Sequence, residues 1–153
     1  MDFHTGPYEP SGKAHDLSDI NALNAAAFAQ PPMTAQEFDE FLGQGRMHFF
    51  VARESGTGRI VATLTLHTYL LSCGGKNRNV GWIEQVATHP DYEGRGLGTK
   101  LLKLGEAEVR ASLIGRPRLT SSKKGAQKFY RKRGWRETSS RVFELTLPTP
   151  AQE

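Results

Sequence analysis

Residues 80–99 read Val80-Gly81-Trp82-Ile83-Glu84-Gln85-Val86-Ala87-Thr88-His89-Pro90-Asp91-Tyr92-Glu93-Gly94-Arg95-Gly96-Leu97-Gly98-Thr99, and their reading decides the fold. Trp82, Ile83 and Val86 give 80–88 the bulk of a strand, and His89-Pro90 reads as the turn that ends it. Beyond the glycines, Leu97, Leu101, Leu102, Leu104 and Val109 recur at helical spacing. Gly94, Gly96 and Gly98 therefore stand between a strand and a helix. Glycine lets the backbone approach a ligand closely and adopt dihedrals that other residues avoid. The free N–H groups and positive dipole end of the following helix suit a phosphate. A turn that is merely tight is the simpler alternative, but it does not explain three glycines within five residues at a helix start. Two common phosphate loops fail on spacing. Thr99 stands where G-x-G-x-x-G needs its third glycine, and no G-x-x-x-x-G-K-[ST] string occurs.

Working outward toward the N-terminus, 59–69 alternates through Val61, Thr63, Thr65 and His67, and 47–53 is rich in Phe and Val. The Ser55-Gly56-Thr57-Gly58 cluster between them predicts a hairpin. Residues 72–79, with Gly, Asn and Lys, read as a loop. Leu17, Ile20, Leu23, Ala27 and Phe28 predict a helix from Asp16 that Pro31 and Pro32 end. Thr34 stands three residues before Glu37, a capping box for a second helix that Gly43 and Gly45 stop. Residues 1–12 are a flexible tail or an edge strand. Toward the C-terminus, 118–121 reads as a short strand, 126–133 as a short helix closed by Gly134, and 141–147 as a last strand carrying Val142, Phe143, Leu145 and Leu147. The order predicts an α/β (α+β) chain, 1–153, as one domain: a mixed, mostly antiparallel central sheet flanked by helices.

The chain has 153 residues, enough to bury a core without staples. The single cysteine, Cys73, excludes an internal disulfide framework and fits a reducing compartment. No apolar run reaches the roughly 20 residues of a membrane span, and the N-terminus has no signal pattern, so a cytoplasmic protein is expected. A net charge of +4 permits anionic partners without naming one. The basic stretch from Lys123 to Arg136 reads first as a solvated helix face. Without a recognition motif or aromatic platform, nucleic acid is not expected as a partner. His4, His15, His48, His67 and His89 form no ligand spacing, so no metal is expected.

Three stretches together resemble the GNAT superfamily of N-acetyltransferases. Gly96 and Gly98 match the two small positions of its [Q/R]-x-x-G-x-[G/A] signature. Trp82 to Pro90 looks like the strand and loop that lead into it, and Ala126 to Trp135 looks like the downstream A-x-x-F-Y-x-x-x-G-[F/W] element. The chain departs at Glu93, where the family has Gln or Arg, and in lacking the asparagine that often precedes the Phe-Tyr helix. A carboxylate beside a pyrophosphate is unfavourable, so Glu93 would offer only its backbone N–H, with Arg95 supplying the positive charge.

The resemblance implies an acyltransferase that moves an acetyl group from acetyl-CoA to a primary amine by direct attack in a ternary complex. The co-substrate would lie on Val86, Ala87 and Thr88 and on the turn Glu93, Gly94, Arg95, Gly96, Leu97, Gly98 and Thr99. Tyr130 matches the tyrosine near the thiolate. Its reference pKa near 10 keeps it protonated at neutral pH, although a core aromatic beside Phe129 is the plainer reading. Glu84, two residues before Val86, is expected on the same side of the strand and could take the amine proton; a solvent-facing carboxylate is its bland reading. His67 reads first as a sheet histidine, with a place in the acceptor pocket as the functional alternative. A small-molecule amine is expected ahead of a protein or peptide amine, and a homodimer is allowed. The reading from another class is a non-catalytic acyl-CoA-binding or nucleic-acid-associated regulator.

Overall fold

The computed structural model describes residues 2–11 and 15–148, apart from the Cys73 side chain. Met1 and Gly12, the ends of the expected tail, fall outside them, as do 149–153. The chain divides into two compact units, Met1–Leu119 and Thr120–Glu153.

The first unit is built on an antiparallel sheet of four strands in sequential order: β1 (Phe3–Pro7), β2 (Met47–Glu54), β3 (Ile60–Cys73) and β4 (Lys76–Thr88). Residues 3–7 are thus an edge strand. Helices α1 (Asp16–Phe28) and α2 (Ala35–Leu42) separate β1 from β2, and α3 (Leu97–Ala111) follows β4. The α2 capping box forms in full: Glu37 N donates to Thr34 Oγ1 at 3.2 Å and Thr34 N donates to the Glu37 carboxylate at 2.7 Å.

Directly paired residues share a face of an antiparallel sheet, so the register sorts the side chains. Phe49 pairs with Thr65 and Val51 with Thr63. Phe49 and Val51 pack with Ile20 of α1 and Phe38 of α2, which fixes the face those helices cover. Leu64, Leu66 and Ile83 lie on the other face. A methyl group at Gly105 of α3 would sit 3.1 Å from Leu64 Cδ2 and 3.7 Å from Ile83 Cδ1. Leu97, Leu101, Leu102 and Val109 complete that second core layer.

Three sequence expectations need correction. The expected loop at 72–79 is a continuous hairpin, with β3 reaching Cys73 and β4 starting at Lys76. Gly74 and Gly75, at φ +60° and +77°, supply the two left-handed residues that a two-residue hairpin turn requires. The strand expected at 118–121 is reduced to one isolated parallel bridge, Trp82 with Arg118. The strand expected at 141–147 does not form. Val142, Phe143, Leu145 and Leu147 are exposed, and among the described residues this stretch pairs with no strand.

The second unit holds α4 (Lys124–Lys132), which begins two residues before the expected start at Ala126. Gly134 follows it at φ +88°, as expected of a helix stop.

Candidate active site

The register of β4 breaks at one point. Glu84 pairs with Thr65 and Ala87 with Thr63, so three steps on β4 face two on β3. That is a β-bulge, and Gln85 carries it at φ +53°. A left-handed conformation costs an ordinary L-residue about 1–2 kcal/mol. Two buried threonines hold it: Thr63 Oγ1 donates to the Gln85 carbonyl at 3.2 Å, and Thr65 Oγ1 to Gln85 Oε1 at 3.2 Å.

The bulge corrects the expectation that Glu84 and Val86 share a side. The extra residue shifts the alternation, so Glu84 shares its face with Ala87 through Thr65 and Thr63, and Val86 faces the opposite way. Glu84 lies on the side covered elsewhere by α1 and α2. Its half-exposed carboxylate is 3.7 Å from His67 Nε2. The structure thus brings together Glu84 and His67, which sequence reasoning had treated separately.

Among the described residues, β4 makes a single bridge on its outer edge. Arg118 N donates to Gly81 O at 3.0 Å and Ile83 N donates to Arg118 O at 2.8 Å. The bulge begins two residues further on, at a position where the outward face of the strand is no longer bridged.

From Thr88 the chain enters a one-turn 3₁₀ segment, Pro90–Tyr92, capped by His89 Nδ1, which accepts from Asp91 N at 3.2 Å. Tyr92 is buried, and its hydroxyl donates to Glu54 at 3.3 Å, anchoring the turn to β2. Gly94 and Gly96 follow at φ +76° and +74°, with Gly96 as the N-cap of α3. No side chain caps this helix and no acidic residue stands in its first turn. Among the described residues, a Cβ at either glycine would meet no atom within 4 Å, so it is the backbone conformation that demands glycine here. Glu93 is exposed. The guanidinium of Arg95 lies over Phe3 and Tyr92, at 5.8 and 5.5 Å from the ring centroids. Arg59, which sequence reasoning passed over, stands near the same turn, 5.8 Å from the Tyr92 ring and 3.4 Å from His89 Nε2.

Tyr130 belongs to the second unit. Its ring meets Phe129 edge-on at 5.3 Å and Trp135 at 6.3 Å. Trp135 N donates to the Tyr130 carbonyl at 3.1 Å, folding the end of α4 back over the ring. Burial pushes the phenol pKa upward, so it stays protonated well past neutral pH. That suits a proton donor and equally suits a packed aromatic.

Residues 11–138 match the acetyltransferase (GNAT) domain family, so the chain belongs to that family, whose members generally use acetyl-CoA. Among solved structures it is similar to a Trypanosoma brucei acetyltransferase at 28% identity and TM-score 0.80, covering 95% of this chain and 100% of that one. It shares the fold of an Arabidopsis thaliana glucosamine-6-phosphate N-acetyltransferase at 18% identity and TM-score 0.72, covering 95% and 99%. It also shares the fold of a Bacillus halodurans transcriptional regulator at 18% identity and TM-score 0.77, covering 94% and 100%. No curated protein matches. Among the described residues, no helix is long and apolar enough to cross a membrane.

Proposed function

We propose that this GNAT protein transfers an acetyl group from acetyl-CoA to a primary amine of a small molecule, by direct attack within a ternary complex. The observation that carries the reading is the continuity of one strand, turn and helix: the β4 bulge at Gln85 leads directly into an open, uncapped and acid-free α3 N-terminus. The residues fit the co-substrate. Backbone N–H groups around Gly94, Gly96, Leu97, Gly98 and Thr99 would hold its pyrophosphate, where the helix dipole favours negative charge. Val86, Ala87 and Thr88 would pair with its extended arm. When bound, acetyl-CoA supplies a thioester carbonyl for the amine to attack.

The chain's own residues would do the rest. A backbone N–H at Val86 or Ala87, on the C-terminal side of the bulge, would stabilise negative charge on the carbonyl oxygen. Glu84, steadied by His67, would take the proton of the incoming ammonium, directly or through a water. As the amine nitrogen bonds to the carbonyl carbon, the carbon–sulfur bond breaks. Tyr130 would donate its proton to the departing thiolate. Glu93 is exposed and stands one residue outside the glycines, so the stretch from Gly94 to Thr99 carries no acid.

Thiol release from acetyl-CoA, followed with a thiol-reactive dye against a panel of primary amines, tests the proposal. Amine-dependent release is expected. Gly96→Val, which strains the left-handed backbone and fills the open space, should weaken acetyl-CoA binding by at least about tenfold in calorimetry while the protein stays folded. Acetyl-CoA binding without release for any amine would replace the enzyme reading with that of a non-catalytic acyl-CoA-binding protein.

A further inference from the structure

A cleft of about 810 Å³ opens below the bulge, between the far half of the β3–β4 hairpin and the segment that leads from α3 to Arg118. Its size falls in the usual range for small-molecule sites. Trp82 and Tyr69 form its aromatic wall, and Arg78, Arg116 and Arg118 bring three guanidinium groups with no carboxylate in the lining. Among the described residues, none of these arginines has a salt-bridge partner.

Both walls are fixed. Asn79 Nδ2 donates to Ser112 O at 2.8 Å, and Arg46 Nη2 donates to Asn79 Oδ1 at 3.0 Å. Together they tie the hairpin to the end of α3. The backbone of Arg118 is bonded to β4 on both sides of Trp82. Trp82 pairs with His67 and Glu84 with Thr65, so Trp82 and Glu84 share a face two residues apart, about 7 Å along the strand. The cleft therefore ends beside the Glu84–His67 pair.

We infer that this cleft holds the acceptor, and that the acceptor is a primary amine carrying a phosphate or carboxylate group. Unpaired guanidiniums over a fixed cleft suit an oxyanion, since charge-assisted, bidentate contacts to planar or tetrahedral oxyanions are what arginine does best. The Trp82 and Tyr69 faces suit the apolar side of a ring or alkyl chain. An amine anchored at its anionic end by Arg118 would reach the Glu84 carboxylate with its other end. The inference rests on the acetyl-transfer reading for the word acceptor, but not for the binding itself.

Calorimetry at about 0.01 M ionic strength, where screening is weak, compares three probes on one frame: glucosamine, glucosamine 6-phosphate and muramic acid. At least one anionic probe should bind about tenfold or more tightly than glucosamine, and whichever does so names phosphate or carboxylate as the anion. Arg78→Gln/Arg118→Gln should erase the difference. Arg116→Gln, at an exposed position, should reduce it about threefold and serves if the double variant fails to fold. Equal binding of all three probes, binding of none, or a preference that survives the arginine replacements overturns the inference. Thiol release separates the two proposals. A charge preference without amine-dependent release sinks the enzyme and keeps the cleft; release without charge preference does the reverse.

Discussion

Arg53 and Arg118 stand on the same sheet unit and have opposite surroundings. Arg53 is partly buried and satisfied by a buried carboxylate, Asp16. Its guanidinium grips Asp16 at 2.7 and 3.0 Å and donates to the carbonyls of Gly58 and Glu9, while Tyr8 and Ser11 complete the hydrogen bonding of Asp16. This cluster ties the start of α1 to β2 and to the chain after β1. Arg118 lines an open cleft with Arg78 and Arg116 and no acid. A charge that the fold neutralises belongs to the fold. A fixed charge that the fold leaves open is available to a ligand. Glu84, half-exposed beside His67, falls with the second group.

The largest test of this contrast is Arg53→Met, which keeps the bulk and strands the Asp16 carboxylate. Breaking one side of a buried pair costs about 3–5 kcal/mol, so thermal unfolding should drop sharply. A shift no larger than that of a surface variant would erase the distinction between the two arginines.

Tyr130→Phe is expected next in size. Turnover should fall about 10- to 1,000-fold, toward the lower range for general acids, with acetyl-CoA binding and unfolding little changed because both ring contacts remain. Turnover at the original level would make Tyr130 a packing aromatic.

Acid titration of stability is the third. Burial alone would raise the Asp16 carboxyl, but hydrogen bonds from Arg53, Tyr8 and Ser11 and the nearby guanidinium override it and hold the pKa at about 2, below the ordinary 3.8. The folded state therefore favours the carboxylate. Its contribution, about 2 kcal/mol, is present above pH 3.8 and is lost as the pH falls through 2. Tyr8 moves the other way. Burial and Asp16 push its phenol up to about 12, so its stabilisation is present below pH 10 and disappears as the pH rises through 12. Denaturant midpoints of wild type and Asp16→Asn across acid pH should converge; parallel curves would deny the carboxylate its role.

The smallest change in stability is expected for Glu84→Gln, within about 0.5 kcal/mol. Its effect should appear in kcat/KM instead. An alkylamine with a reference pKa near 10.4 is almost wholly protonated at neutral pH, so activity should fall most there and recover partly as the pH rises. An equal loss at all pH values would mean that Glu84 positions the amine without taking its proton.

Much of this was legible in the chain. The period of Leu97, Leu101, Leu102 and Val109, the Thr34–Glu37 capping box and the glycines at 94 and 96 are local signals. Helix period, cap chemistry and left-handed turns are decided within a few residues, so α2, α3 and the turn between β4 and α3 follow from sequence. The family resemblance rested on such stretches, and the match over 11–138 agrees with it. The Gly74-Gly75 turn was equally local, but the polar residues after it hid a strand that pairing with β3 stabilises. The 141–147 pattern showed the converse: alternating apolar residues make no strand unless a neighbour supplies the other half of the ladder. The bulge at Gln85 lay beyond sequence altogether. One extra residue between Glu84 and Ala87 is defined only against Thr63 and Thr65 on the facing strand, whose hydroxyls hold it there. The Arg53 clamp and the arginine cleft were hidden for the same reason. Sequence determines that a side chain carries a charge, whereas whether that charge meets Asp16, 37 residues away, or an open cleft depends on which strands and helices the folded chain brings alongside it.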